Sequence, residues 1–241
     1  MELTPLRLRI KRTSGWQEYD VQVSPGAYVL DALEAAGAQD GSLLFRHSCH
    51  HASCGSCGLR VNGREKLACV TPLRDVLRGH RLVQLEPLRN FPVIGDLLVE
   101  FNPFMHKLDS LDMPLRRRVD PLGSRPNLER IEEHTAPDLA AAFNRFENCI
   151  ECGLCVSACP VAGQDAQYAG PAMLAAAGRL ATEPRGRLLA DVLARVDHEQ
   201  GLWRCHGVFE CSEVCPANVD PAREIMKLRA RLLGASARER T

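Results

Sequence analysis

Cys149-Ile150-Glu151-Cys152-Gly153-Leu154-Cys155-Val156-Ser157-Ala158-Cys159-Pro160 is the stretch on which the reading of this chain turns. Three cysteines at two-residue intervals, a fourth after three more residues and a proline behind it make a run that holds iron–sulfur clusters. Its fourth cysteine serves the other cluster of a pair. A partner motif must then exist, and Cys205-x5-Cys211-x3-Cys215-Pro216 supplies it. Aligned on the prolines, Cys205 answers to Cys149, Cys211 to Cys155 and Cys215 to Cys159. Val208 stands where the first motif has Cys152. Exchanging the fourth cysteines gives one complete set, Cys149, Cys152, Cys155 and Cys215, for [4Fe–4S]. Cys159, Cys205 and Cys211 remain as a three-cysteine set. A cube with an apolar residue at its fourth corner tends to lose that iron, so this set is expected to hold [3Fe–4S].

The other cysteines lie upstream. Cys49-x4-Cys54-x2-Cys57, with Cys69 after eleven intervening residues, has the plant-type spacing for [2Fe–2S] held by four thiolates. Gly55 and Gly58 allow backbone amides to approach the sulfides closely. Structural zinc usually shows two short knuckles, and only one end of this group resembles one. His50 and His51 sit inside the loop, but four cysteines already complete the site, so a Rieske-type role is not expected. They read as surface residues that tune the cluster by charge and hydrogen bonding. All eleven cysteines are thereby used. A pair of zinc sites in the second half would leave one short of a ligand and give the prolines no role.

Composition agrees with cysteine used for metal. The 241 residues are 45% hydrophobic and 25% charged, as in a globular protein. Thirty basic residues balance thirty acidic ones, which gives nucleic-acid binding no electrostatic support. No apolar run reaches the roughly 18 residues that a membrane helix needs. The opening Met1–Arg7 has no apolar signal region, so a reducing compartment is expected, where disulfides are rare.

The first part reads as mixed α and β. Leu6, Leu8 and Ile10 alternate with polar residues, as do Tyr19, Val21 and Val23, with Ser14-Gly15 as the turn between them. Val29, Leu30 and Leu33 share a helical face, with Gly37 as a C-terminal cap. Short strands are expected at 58–62 and 81–86. Val93, Ile94, Leu97, Leu98 and Phe101 recur at helical spacing. The proline-bearing stretch 102–126, with Arg116-Arg117-Arg118 as a solvated face, reads as a connection. Helices are expected at 138–147, 172–180, 186–197 and 221–233, the last capped by Asp220-Pro221. The fold class is therefore α+β: a β-grasp, plant-type ferredoxin domain over 1–103, then an all-helical, bacterial-ferredoxin-like domain over 104–241.

Three cluster sites in this order resemble the iron–sulfur subunit of succinate dehydrogenase and fumarate reductase. The resemblance spans nearly the whole chain. It includes Phe45-Arg46-His47-Ser48-Cys49, Cys54-Gly55-Ser56-Cys57, Asn62-Gly63, Pro92-Val93-Ile94-x-Asp96-Leu97, Cys149 to Pro160, Gly170-Pro171-Ala172 and Cys205 to Pro221. Gly201-Leu202-Trp203-x-Cys205 and Cys211-Ser212-Glu213-Val214-Cys215-Pro216 look most like the fumarate reductase branch.

The resemblance implies a separate flavoprotein subunit that carries FAD and the dicarboxylate site. Electrons would pass through [2Fe–2S], [4Fe–4S] and [3Fe–4S] to quinone, beside membrane anchor subunits that can carry heme b. The chain would lie peripherally on the cytoplasmic face of the inner membrane. The positions matching the family's quinone site are Pro160, His206, Val208 and Arg229. Relatives often carry a Trp pair soon after the proline, where this chain has Val161-Ala162-Gly163-Gln164. The usual basic and acidic residues after the first cysteine are here His50 and His51. A soluble fumarate reductase with a non-quinone donor is the alternative within the family. A zinc-stabilised interaction module is the alternative outside it.

Overall fold

The computed structural model describes residues 3–77, 82–111, 148–182 and 189–238. Strands β1 (Thr4–Arg12) and β2 (Gly15–Val23) form an antiparallel hairpin. Leu6, Leu8, Ile10, Tyr19, Val21 and Val23 point inward, as the two-residue alternation requires. β3 (Gly58–Val61), β4 (Arg64–Leu67) and β5 (Leu82–Glu86) complete a sheet of order β2-β1-β5-β3-β4. β1 and β5 are its parallel pair. Helix α1 (Val29–Gln39) lays Val29, Leu30, Ala32, Leu33 and Ala36 on this sheet. Asp31 begins it by accepting the Tyr28 N–H at 2.8 Å.

Gly37 is not the cap that was expected, because the helix runs on to Gln39. A Cβ at Gly37 would meet the Phe45 ring at 3.0 Å, so close packing is what calls for glycine there. The apolar run after Pro92 is not a helix either. β6 (Val93–Gly95) and β7 (Leu98–Val99) form a small hairpin. Asp96 at its turn has φ +47°, which asparagine and aspartate tolerate better than most residues. Its buried carboxylate accepts the N–H groups of Thr13 and Leu44 at 3.0 Å each and pairs with Arg12 Nε at 3.0 Å. Two distant segments, at residues 12–13 and at Leu44, thus converge on one side chain, which helical periodicity could not show.

Burial pushes the Asp96 carboxyl up, but the Leu44 and Thr13 N–H groups and the Arg12 guanidinium hold it below the ordinary carboxylate range. Its contribution to stability is therefore complete above the unfolded-state carboxylate range and is lost as pH falls through the depressed folded value. Asp96→Ala should lower unfolding free energy by about 3 kcal/mol at neutral pH, as for a broken buried pair. Anaerobic urea titration at neutral pH measures it, and a loss within ~0.5 kcal/mol of zero would reject this anchor role.

Beyond β7, Asn102–Asp109 is helix α2, not connection, and buries Phe104 and Leu108 against Ala172. The arginine run and the helix expected at 138–147 lie outside the described residues. The later helices are α3 (Leu154–Ala158), α4 (Pro171–Thr182), α5 (Leu189–Val196), α6 (Glu210–Glu213) and α7 (Pro221–Arg238). Asp220 caps α7 by accepting the Arg223 N–H at 3.3 Å and ties it to Ser212 Oγ at 2.6 Å.

A polar seam joins the sheet to α3. Ser157 Oγ donates to the buried Glu65 carboxylate at 2.8 Å and accepts the Arg89 N–H at 2.9 Å. The Asn90 amide reaches the carbonyls of Val156 and Cys159, each at 2.8 Å. Leu154 enters the sheet's core, so the two halves share apolar packing as well.

Candidate metal centres

None of the eleven cysteines is in a disulfide. Of the first group, Cys49, Cys54 and Cys57 lie in the loop between α1 and β3, and Cys69 follows β4 in the turn Ala68–Val70. His50 and Ala52 (φ +60° each) and Gly55 (φ +70°) curl the backbone so that its amides turn toward sulfur. The N–H groups of His51, Ser53 and Cys54 lie 3.5, 3.3 and 3.4 Å from Cys49 Sγ, and that of Ala52 lies 3.4 Å from Cys69 Sγ. Cys69 Sγ is 3.2 Å from Cys57 Sγ, held there by the Ala68 N–H donated to the Cys57 carbonyl at 3.1 Å. The His51 N–H, with those of Cys54 and Ser53, brings the Cys49 thiol down to about 6. Burial pushes Cys57 the other way, up to about 12. The histidines of the loop have other partners: His51 Nδ1 meets the Cys49 carbonyl and His50 Nε2 faces Glu34.

The remaining cysteines line two separate cavities. Cys149, Cys152, Cys155 and Cys215 share one with Phe104, Ile150, Ala172 and Val219. Cys159, Cys205 and Cys211 share the other with Pro160, Tyr168, His206, Val208 and Ile225. In each case the last cysteine of one motif stands with the earlier cysteines of the other. Burial pushes the Cys152 thiol up to about 11, Cys211 up to about 12, and Cys155 well above the thiol range. Sulfurs this desolvated cannot carry several negative charges together without a metal cation among them. An all-sulfur donor set in an apolar wall suits thiophilic metal, iron–sulfur clusters included. Backbone amides again face sulfur, Gly207 N–H toward Cys205 and Val219 N–H toward Cys215, at 3.4 Å each.

Of the residues matched to a quinone site, Pro160, His206 and Val208 are on the wall of the three-cysteine cavity. Arg229 is not. Its guanidinium donates to the carbonyls of Leu202 and Cys205 at 2.5 to 2.9 Å and lies over the Trp203 ring, so it braces the loop from behind. Tyr168 was not anticipated. It is buried, lines the same cavity, and burial with the nearby Cys205 pushes its hydroxyl up. Only its place just before Gly170-Pro171 hinted at it.

The first loop abuts the second site. A Cβ on Gly55 would lie 2.8 Å from Cys152 Cβ and 2.9 Å from the Ile150 carbonyl oxygen, and one on Gly58 would lie 3.2 Å from the Cys152 carbonyl oxygen. Glycine at both positions lets two cysteine-bearing backbones touch.

Comparisons with known proteins agree with this layout. A 2Fe-2S iron-sulfur cluster binding domain matches residues 6–106, and a 4Fe-4S dicluster domain matches residues 145–219. The fumarate reductase iron-sulfur subunit of Mycobacterium tuberculosis is 41% identical over 95% of this chain and 90% of its own length. The succinate dehydrogenase iron-sulfur subunit of Coxiella burnetii is 32% identical over 90% of this chain and 88% of its own. A chain of the Mycobacterium smegmatis Sdh1 complex in the apo form superposes with a TM-score of 0.81 at 25% identity, covering 97% of both chains. The chain belongs to the family of succinate dehydrogenase and fumarate reductase iron–sulfur subunits, and its part in such an oxidoreductase is electron transfer.

Proposed function

We propose that this chain carries electrons between an FAD-bearing flavoprotein subunit and membrane quinone, with [2Fe–2S] on Cys49, Cys54, Cys57 and Cys69, [4Fe–4S] on Cys149, Cys152, Cys155 and Cys215, and [3Fe–4S] on Cys159, Cys205 and Cys211. Clusters of these kinds supply one-electron redox chemistry over a wide range of potential. The observation that carries the reading is the exchange of last cysteines between the two cavities. The chain's own residues supply the rest. Loop amides aimed at sulfur stabilise negative charge, and apolar walls exclude water and set the potential. Contact between the Gly55 loop and Cys152 keeps the first two sites close.

The domain boundary is assigned at 103/104, within helix α2, whose Phe104 packs on Phe91 and Phe101 on one side and on Ala172 on the other. Among the described residues no helix is long and apolar enough to cross a membrane. Trp203, Val208 and Phe209 are exposed beside the third site, and an apolar surface of this kind suits cover by membrane anchor subunits. The chain is then peripheral, on the cytoplasmic face.

Iron and sulfide analysis with EPR tests the assignment. About nine irons per chain are expected, with an oxidised-state signal from [3Fe–4S] and a reduced-state signal from [2Fe–2S]. An iron count near four, or zinc in place of iron, would sink it.

His206 tests the quinone end. In the assembled complex, His206→Ala should slow quinone turnover roughly tenfold while electron delivery from the flavin to an artificial acceptor stays near wild type. Equal losses in both assays would reduce His206 to a support for the Cys205 loop.

A further inference from the structure

Outside the cysteine sites, one group of ligating side chains among the described residues converges on a point. Glu34 on α1 and His47 and His50 in the first loop bring three donor atoms together. His47 Nδ1 is 3.2 Å from Glu34 Oε1, His50 Nε2 is 3.3 Å from the same oxygen, and the two ring nitrogens are 3.2 Å apart. The triangle is nearly equilateral.

Hydrogen bonding alone does not account for it. If both nitrogens carry protons for the carboxylate, the two N–H groups are crowded side by side. If one nitrogen is bare so that the other can bond to it, its lone pair faces the carboxylate oxygen. One edge of the triangle is repulsive in either arrangement, whereas a cation shared by all three atoms makes every contact favourable. A tetrahedral ion with bonds of about 2.0 Å has ligand–ligand edges of about 3.3 Å. The observed edges have that length.

The backbone and neighbours also hold these rings in place. His50 takes a left-handed φ of +60°, uncommon outside glycine, and its half-exposed ring lies against Glu34. The His47 ring stacks on Phe45 at 5.3 Å. Two imidazoles and one carboxylate are a known set for divalent first-row metals with an open position left for water.

We propose that Glu34, His47 and His50 bind a divalent transition-metal ion, zinc in the first instance, on the outer side of the first cysteine loop. The ion ties α1 to the loop at the residue next to Cys49. The site stands on its own side chains and does not depend on the electron-transfer reading.

The full chain, loaded anaerobically with iron and sulfide, is dialysed against micromolar zinc and its metals are counted. One zinc per chain is expected with iron unchanged. Zinc K-edge absorption should show only nitrogen and oxygen neighbours at about 2.0 Å. Glu34→Gln and His47→Ala should each weaken zinc binding at least tenfold at unchanged iron content. His47 is close to Cys49, so if His47→Ala loses iron, Glu34→Gln on the helix decides. No retained zinc, a sulfur neighbour at about 2.3 Å, or wild-type affinity in Glu34→Gln would each overturn the proposal.

Discussion

Gly55→Val should break the contact between the first cysteine loop and the second site, and electron passage between them should fall by well over tenfold. Two penalties add at this position. The residue has φ +70°, a region that costs about 1–2 kcal/mol for an ordinary side chain and is worst for a β-branched one. Its Cβ would also stand within 3.0 Å of the Cys152 Cα, the Cys152 Cβ and the Ile150 carbonyl oxygen, none of which is a flexible tip. Overpacking of this kind costs about 1–3 kcal/mol. The loop can relieve the clash only by lifting, which pulls Cys54 and Cys57 out of place. The reduced-state EPR signal of the first cluster should weaken or change shape, and dithionite reduction of the later clusters through it should slow. Gly41→Val is the control, since a Cβ there meets nothing within 4 Å. A Gly55→Val chain with full iron content, an unaltered signal and wild-type electron passage would refute the contact.

Gly55 also shows how far local pattern reaches. Its spacing from Cys54 and Cys57 called for glycine, but the reason inferred was approach of amides to sulfide. The structure adds a second reason, the backbone of Cys152 nearly a hundred residues away in sequence, which no local pattern encodes. The sorting of seven cysteines around two cavities was legible because a cluster motif is itself local geometry, and the exchange of Cys159 and Cys215 follows from the motif's own logic. The strands of the main sheet were legible for the same reason, since Leu6, Leu8 and Ile10 report a buried face directly. The β6–β7 hairpin was not. Val93, Ile94, Leu97 and Leu98 satisfy helical spacing, yet Val93 and Ile94 are exposed, and the turn is set by Asp96 binding Arg12, Thr13 and Leu44. Gly37 was misread because a glycine near a helix end fits a cap and a packing contact equally well in sequence. Arg229 matched a family position, but its hydrogen bonds to Leu202 and Cys205 are tertiary facts. The Glu34–His47–His50 triangle depends on how α1 lies against the loop, so it too was beyond the reach of periodicity.

On the proposed cluster assignment, Val208→Cys should convert the third site, at least in part, from [3Fe–4S] to [4Fe–4S] and largely abolish quinone reduction. Val208 lines the cavity of Cys159, Cys205 and Cys211 and is 54% exposed, so replacing it by a smaller thiol removes little buried packing. The loop that presents it is already shaped by left-handed residues on either side, Gly207 and Phe209 at φ +67° each, and neither is altered. A thiolate at 208 would complete the set in the way Cys152 completes the other one. The oxidised-state EPR signal should fall, iron should rise toward one more per chain, and unfolding in urea should shift by less than about 1.5 kcal/mol. The conversion adds an iron as well as a thiolate and changes the cluster type, which sets potential, and the family resemblance implies a lower midpoint. Each ~59 mV is a tenfold change in the equilibrium for a one-electron step. A large drop leaves the last site a poor resting place for an electron on its way to quinone, while flavin-site chemistry with artificial acceptors continues. An unchanged oxidised-state signal in a well-folded Val208→Cys chain would mean that residue 208 does not face the open corner. The grouping of Cys205 and Cys211 with Cys159 would then have to be redrawn.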